Sequence, residues 1–357
     1  MQPTAKDYYN LFIKGHWGLS STTSKLNKFS GREELLDKKV GMLCSDGGRF
    51  NDSVIAVNSV FIEVVDPGNR LRGIASFFGF MGGGPFLAGG VGLLYGLFNY
   101  VDRVPLFVYL LALLALVLGG VIGLPLFNSL IRKDFFRKTH YPMRFNRVDR
   151  KVYAWSQDMG VVTMNWGDIH FYQSKASASD ERRGMGREEV RGYVKDDAGN
   201  VVLHLVFFKY EGGKMMRGAL EIWELVRRYM EEPDGHIQAY RVDQRVLALD
   251  GRREGFFDSL TQATRIMADS RLFQVVFALM VAWAGTGRIL AKWTCRVPRW
   301  PEWVEEKCQV APDDPYVRNR QNERPLKAGE ALWPLFCFLL GWAQALTIFY
   351  FLFRGYF

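Results

Sequence analysis

The chain has 357 residues, 23% of them charged, and a formal net charge of +9 at pH 7. Its near-neutral mean hydropathy of −0.06 excludes a protein embedded in a membrane over its whole length. Four cysteines are too few for a disulfide-rich scaffold. The modest positive charge is not combined with a recognisable nucleic-acid-binding fold, so nucleic acid is not an expected partner.

The N-terminal segment, residues 1–72, is mixed in composition. Within it the run SVIAVNSVFIEVV predicts one or two strands at 53–65, because β-branched and apolar residues dominate it. The following Asp66-Pro67-Gly68-Asn69 is a strong turn signal and ends this β region.

Two apolar stretches without charged residues follow almost directly, at Ile74–Phe98 and Val104–Leu130. Each exceeds the roughly 20 helical residues that cross a bilayer. Because backbone hydrogen bonds must be satisfied within lipid, the pattern predicts a transmembrane helical hairpin at 73–130. Small residues fall every four positions in the first stretch and predict a helix-packing face, against the second span or a second copy of the chain. They are Gly84, Ala88, Gly92 and Gly96.

Residues 131–236 read as a β-rich domain that ends in a helix. Apolar residues at helical spacing predict this helix at 215–230. The predicted strands are Met143–Asn146, Lys151–Trp155, Val161–Trp166, Ile169–Gln173, Glu189–Lys195 and Val201–Tyr210. Antiparallel strands capped by one helix are similar to a pleckstrin-homology-like module, and residues 237–271 would connect it to the C-terminal part.

The C-terminal part returns to apolar sequence, with predicted transmembrane helices at 272–290 and 331–353. Basic flanks place residues 1–72, 131–271 and both termini on the cytoplasmic side. The Pro- and Trp-rich loop at 291–330 would then be periplasmic, although its own basic residues argue for the other side. Pairing of Cys295 with Cys308 depends on that side and stays open.

Two groups of residues are candidate contact sites. Basic residues after the second span are candidate contacts for anionic lipid, or simply mark its cytoplasmic flank. They are Arg132, Lys133, Arg137 and Lys138. Aromatic residues of the C-terminal loop are candidate contacts for a partner or for the membrane interface. They are Trp293, Trp300, Trp303 and Tyr316.

The sequence does not indicate catalysis. The five histidines are scattered, and no metalloprotease, nucleophile-elbow or phosphate-loop motif occurs. No Asp, Glu or Lys lies at the centre of a predicted span, which disfavours a transporter. We therefore expect no enzyme activity, no cofactor and no metal site.

Two segments carry a family resemblance: PMRFNRVDRKVYAW at Pro142–Trp155 and WPEWVEEKCQVAPDDPY at Trp300–Tyr316. With the two preceding spans, they resemble an uncharacterised family of Gram-negative inner-membrane proteins encoded beside type VI secretion effectors. The resemblance implies a multi-pass immunity protein that neutralises a membrane-acting effector. The alternative is a membrane-anchored accessory module that binds lipid or peptide.

The expected fold class is therefore an α+β membrane protein. It would combine a transmembrane helical hairpin, a cytoplasmic antiparallel β-rich module capped by a helix, and two C-terminal transmembrane helices. Its partners would be the lipid bilayer and a cognate secreted toxin, with self-association as a further contact.

Overall fold

The computed structural model describes residues 33–41, 50, 52–73, 134–156, 160–175, 187–211, 218–267 and 270–354, with isolated positions at 107, 110, 113, 114, 117 and 128. The chain divides into two compact units. The first, called the sheet unit here, comprises Met1–Asn69, His140–Arg252 and Pro298–Pro325. The second, called the helical unit, comprises Arg70–Thr139, Arg253–Val297 and Leu326–Phe357.

The described strands of the sheet unit form two antiparallel sheets. One is four-stranded with the order β1-β7-β8-β9, and the other is five-stranded with the order β2-β3-β4-β5-β6. The strands are β1 (Glu33–Leu36), β2 (Val54–Val57), β3 (Phe61–Val65), β4 (Pro142–Asn146), β5 (Lys151–Ser156), β6 (Gly160–Asn165), β7 (Ile169–Lys175), β8 (Arg187–Lys195) and β9 (Val201–Glu211).

The five-stranded sheet contains a long insertion between β3 and β4. Val65 pairs with Pro142 across these strands. One residue further out, the Asp66 amide donates to the Tyr141 carbonyl at 3.1 Å. The Tyr141 amide donates to the Asp66 carboxylate at 2.7 Å. The chain therefore leaves the sheet and returns to it at the same place.

The core of the sheet unit is aromatic and joins both sheets to helix α1 (Gly218–Glu231). Trp223 of α1 lies 4.4 Å from Phe171 and stacks on Trp166 at 5.9 Å, measured between ring centroids. All three rings are almost fully buried. The Tyr229 hydroxyl donates to the Asn58 carbonyl at 2.8 Å, which ties α1 to the loop after β2. The short helix α2 (Gly235–Tyr240) follows.

The helical unit contains α3 (Phe256–Met267), α4 (Arg271–Val276), α5 (Ala278–Thr294) and α7 (Ala328–Phe353), whereas α6 (Glu302–Lys307) belongs to the sheet unit. Helices α5 and α7 approach closely at small residues. A Cβ added at Gly341 of α7 would overlap the backbone of Ala278, and a Cβ added at Gly285 of α5 would lie only 3.2 Å from the ring of Phe338. Trp283 and Trp342 stack at 5.8 Å between centroids.

The predicted fold class is wrong in how it arranges the strands and the membrane spans. The structure is α+β with two antiparallel sheets rather than one pleckstrin-homology-like module. In the described part of the chain one helix, Ala328–Phe351, is long and apolar enough to span a membrane. Strands β2 to β9 lie within two residues of their predicted positions, whereas β1 was not predicted. Residue periodicity predicts strands but not their pairing, and β1 joins the four-stranded sheet by pairing with β7, far along the chain.

The predicted span at 272–290 is also corrected. Phe277, with φ −96° and ψ 23°, leaves the helical conformation and separates α4 from α5. Helix α5 then buries two charged residues, Arg288 and Lys292, which an apolar lipid-crossing helix would exclude. The predicted hairpin at 73–130 and its packing residues Gly84, Ala88, Gly92 and Gly96 lie outside the described residues.

Candidate partner-binding groove

The sheet unit carries an open groove with a volume of about 660 Å³. One wall is formed by β2, β3 and β4, and the other by α6 and the chain that follows it. The residues that line it include Phe61, Glu63, Arg144, Trp300, Glu305 and Cys308.

Residues 300–310, which include α6, form the second wall because they pack apolar side chains onto the sheet. Val304 and Cys308 of this segment are buried against Phe61 and Tyr153, with Trp300 beside them. Pro301 caps the start of α6 in an extended conformation and directs the chain into this contact. The segment is therefore part of a folded unit, and its tryptophans have protein neighbours.

Arg144 is the centre of the groove. Its guanidinium donates to Glu63 at 2.6 Å and to Glu305 at 2.9 Å. It also lies between two rings, 4.4 Å from the centroid of Phe61 and 4.9 Å from that of Trp300. Such cation–π contacts strengthen when water is excluded, and Arg144 is almost fully buried.

Burial and ion pairing together shift the pKa values of Glu63 and Arg144. Burial raises the pKa of Glu63 above its usual value, and the positive charge of Arg144 partly offsets that rise. Burial alone would lower the pKa of Arg144, but Glu63 and Glu305 outweigh it and raise that pKa. Arg144 therefore stays charged at all accessible pH. The Trp300 indole N–H donates to the other Glu63 oxygen at 3.3 Å and fixes the ring over the guanidinium.

The mouth of the groove is negatively charged. Asp250, Glu302 and Glu306 line it, are exposed, and form no ion pair among the described residues. The remaining cation of the lining is Arg318, which is neutralised by Glu323 at 2.7 Å and donates to the Val242 carbonyl. The described side chains therefore leave an excess of carboxylates facing solvent.

The predicted aromatic contacts fall in different places. Trp300 lines the groove, while Trp303 is 46% exposed and packs edge-on against Tyr153 at 5.8 Å. Tyr316 packs edge-on against His236 and Tyr240. Trp293 belongs to the helical unit and is 70% exposed. The structure thus brings three of the four into the sheet unit and leaves Trp293 apart.

The two loop cysteines are free thiols and lie in different units. Cys308 is buried in the groove wall, where the Asn146 amide approaches its Sγ at 3.7 Å. Burial raises the pKa of the Cys308 thiol. Cys295 is buried in the helical unit and its thiol donates to the Asp134 carbonyl at 3.0 Å. The open question of their pairing is answered by the fact that both are free cysteines.

Of the four predicted lipid contacts, two lie among the described residues. Arg137 and Lys138 lie in the helical unit, in a short segment that pairs with the chain after α5. Arg132 and Lys133 lie outside the described residues. Burial lowers the pKa of Lys138, and the nearby charge of Arg296 lowers it further.

Sequence reasoning did not single out Glu63 and Arg144. A signal was available, because Glu63 is the one acidic residue in the apolar run SVIAVNSVFIEVV, and a charge in a buried strand requires a partner. The identity of that partner was not readable, since Arg144 lies 81 residues further along the chain.

The fold and the groove together define an α+β protein with a sheet unit and a helical unit, and the described part of the helical unit contains one long apolar helix. Residues 122–312, more than half of the chain, match DUF6708, a family of unknown function. The chain belongs to this family. No curated protein and no solved structure shows significant similarity to it.

Proposed function

We propose that the protein is a membrane-attached interaction protein whose groove binds a segment of a protein partner. The observation that carries this proposal is the groove itself. It combines a rigid floor of paired side chains, aromatic walls at Phe61 and Trp300, and carboxylates at the mouth. Binding sites of this kind are concave, with a few polar groups that orient the ligand.

The groove is better suited to recognition than to chemistry. Arg144 is fully engaged by Glu63, Glu305 and two rings, so it holds the wall together. The surplus charge lies on Glu302 and Glu306 of α6, which face solvent. Complementary charge would favour a partner segment that carries Lys or Arg, whose cation can also stack on an aromatic ring.

Membrane attachment would come from α7. Its 26 residues extend about 39 Å at 1.5 Å per residue, more than the roughly 30 Å of a bilayer core. We place the protein in the bacterial inner membrane. Attachment confines protein and partner to one surface and raises their effective concentration, so a groove of moderate affinity suffices.

For the partner we propose a membrane-acting effector of the type VI secretion class, which makes this chain an immunity protein. The support is the resemblance carried by Pro142–Trp155 and Trp300–Tyr316. These segments supply β4, all but the last residue of β5, α6 and eight of the 17 residues that line the groove. The segments of the resemblance therefore overlap with the groove.

Growth rescue tests this function. A sensitive strain would express the product of the gene next to this one, as the candidate effector, with and without the protein. The wild-type chain should restore growth, and the double variant Glu302→Lys/Glu306→Lys should lose rescue and bind the effector at least about tenfold more weakly, equivalent to about 1.4 kcal/mol.

The control is Asp149→Lys/Asp313→Lys, which makes the same charge change at exposed positions outside the groove. It should rescue like the wild type. Absence of rescue by the wild-type chain would refute the immunity function. Equal rescue by both double variants would refute the groove as the binding site.

A further inference from the structure

A second surface, in the helical unit, combines exposed aromatic rings with clustered cations. The Arg296 amide donates to the Arg137 carbonyl at 2.7 Å, and the Thr139 amide donates to the Arg296 carbonyl at 2.9 Å. Lys138 and Arg296 are bridge partners in these two segments. The backbone thus holds basic side chains from distant parts of the chain side by side.

Two large rings flank these cations and are exposed. Phe136 precedes Arg137 and is 79% exposed, and Trp293, in the last turn of α5, is 70% exposed. Phe136 also has a φ of 58°, a conformation that bulky residues rarely adopt. The fold accepts this backbone cost and leaves the ring largely exposed, so the ring is available to an external ligand.

The position of this surface along the helical unit fits the edge of a bilayer. Along α5 the close approaches to α7 run from Ala278 with Gly341 to Gly285 with Phe338. The contact therefore moves toward the N-terminal end of α7 as α5 proceeds. The C-terminal end of α5, with Trp293, lies toward that end, where Lys327 precedes the apolar helix.

We propose that Phe136, Arg137, Lys138, Trp293 and Arg296 form a docking surface for the headgroups of anionic phospholipids. The aromatic rings would enter the boundary between headgroups and acyl chains, where Trp and other aromatic residues concentrate. The cations would bind lipid phosphates, and an anion there relieves the repulsion between Lys138 and Arg296. The proposal rests on membrane attachment but not on the groove.

Lipid co-purification tests it with the full-length protein. The protein would be reconstituted into phosphatidylcholine vesicles that contain a minor fraction of phosphatidylglycerol, extracted in mild detergent, and the bound lipids counted. The wild-type chain should retain phosphatidylglycerol above its share of the bilayer. The variant Arg137→Gln/Lys138→Gln/Arg296→Gln should lose this enrichment by about tenfold or more, since each cation near an anionic surface contributes about fivefold.

The matched control removes three exposed cations of the sheet unit, Arg299→Gln/Lys307→Gln/Arg320→Gln, and should keep the enrichment. A second variant, Phe136→Ser/Trp293→Ser, keeps every charge and should weaken retention through loss of the rings. Enrichment that survives in the first triple variant, or that is absent from the wild type, would overturn the proposal. Loss of effector rescue in the groove variants, with unchanged lipid enrichment, would separate the two sites.

Discussion

Both units bury paired charges, such as Arg144 with Glu63 and Arg288 with Glu254, but they differ in the large apolar side chains that they expose. The sheet unit buries Phe145, Trp166 and Trp223 and leaves Glu302 and Glu306 in solvent. The helical unit buries charged residues and exposes large apolar ones on α4 and α7. The exposed ones include Leu272, Phe273, Val276, Phe336, Leu339, Leu346 and Phe351. Apolar exposure on this scale marks a surface made for lipid or protein rather than water.

Two cations buried in the helical unit, Arg288 and Lys292, form a cluster with the carboxylate of Glu254. Arg288 contacts this carboxylate at 2.9 Å and Lys292 contacts it at 3.1 Å, and Lys292 also donates to the Thr139 carbonyl at 2.9 Å. Two cations share one carboxylate. Burial lowers the pKa of Lys292 to about 8 against the pull of Glu254. Burial would raise the pKa of Glu254, but the two cations outweigh it and lower that pKa.

The largest predicted effect comes from removing that carboxylate. Glu254→Gln removes the carboxylate that Arg288 and Lys292 both contact, and breaking a buried ion pair costs about 3–5 kcal/mol. Thermal unfolding in detergent should show a large loss of stability. Asp313→Asn, an exposed carboxylate of the sheet unit, is the control and should change little. Equal stability of the two variants would refute the buried cluster as the polar centre of the helical unit.

The next effect tests the different surroundings of the two units. Leu339 in the middle of α7 and Val148 in the turn after β4 are both exposed apolar residues. Leu339→Arg should oppose membrane insertion by about 2.5–3.5 kcal/mol, the cost of a charge at the centre of a span. Val148→Arg should change stability by less than about 0.5 kcal/mol. Membrane fractionation with a carbonate wash measures both, and unaltered membrane retention of the Leu339 variant would contradict a spanning α7.

A smaller effect is expected at the contact between α5 and α7. A Cβ at Gly341 would overlap the carbonyl of Ala278, whereas a Cβ at Gly329, in the same helix, meets nothing within 4 Å. Gly341→Ala should therefore cost about 1–3 kcal/mol through overpacking. Gly329→Ala should be neutral or stabilise by up to about 1 kcal/mol through helix propensity. The comparison uses unfolding in detergent, and a neutral Gly341→Ala would show that these helices do not rely on this close approach.

The smallest effect is a dependence on pH. The pKa of Lys292 is about 8 in the folded protein and 10.5 in the unfolded chain. The unfolded state therefore binds more protons between these values, so stability contributed by this group rises as the pH increases through that window. Lys292→Met should remove this rise. From pH 8 to 10, the free energy of unfolding of the wild type should rise relative to that of the variant. A fall relative to the variant would contradict the buried cation.

Local features of the fold were predictable, and long-range ones were not. The hairpin of β8 and β9 is such a local feature, since the Asp196 amide donates to the Asn200 carbonyl at 2.9 Å and the residues between them are typical of a hairpin loop. Pairing of β3 with β4 across the insertion was not, because alternation of residues carries no information on distant partners. Trp300 was recognised as a contact residue, but its role over Arg144 depends on that pairing.

The helical unit illustrates the same limit. Arg288 was visible as a charge near the end of an apolar stretch. Its counter-charge, Glu254, lies 34 residues earlier in a polar segment that has no periodic signal. Window-averaged hydropathy therefore favoured an unbroken span at 272–290, whereas the chain breaks at Phe277 and uses the next helix to bury its charges.

Our central proposal is that lipid surrounds helix α7 and that water surrounds the sheet unit. Single cysteines at Leu339→Cys and Val148→Cys, in a full-length background without the four native cysteines, would carry an environment-sensitive fluorophore in proteoliposomes. The probe at 339 should emit at shorter wavelength and be quenched by brominated acyl chains but not by aqueous iodide, and the probe at 148 should behave in the opposite way. Iodide quenching of both probes, with no effect of brominated lipid on either, would contradict the claim.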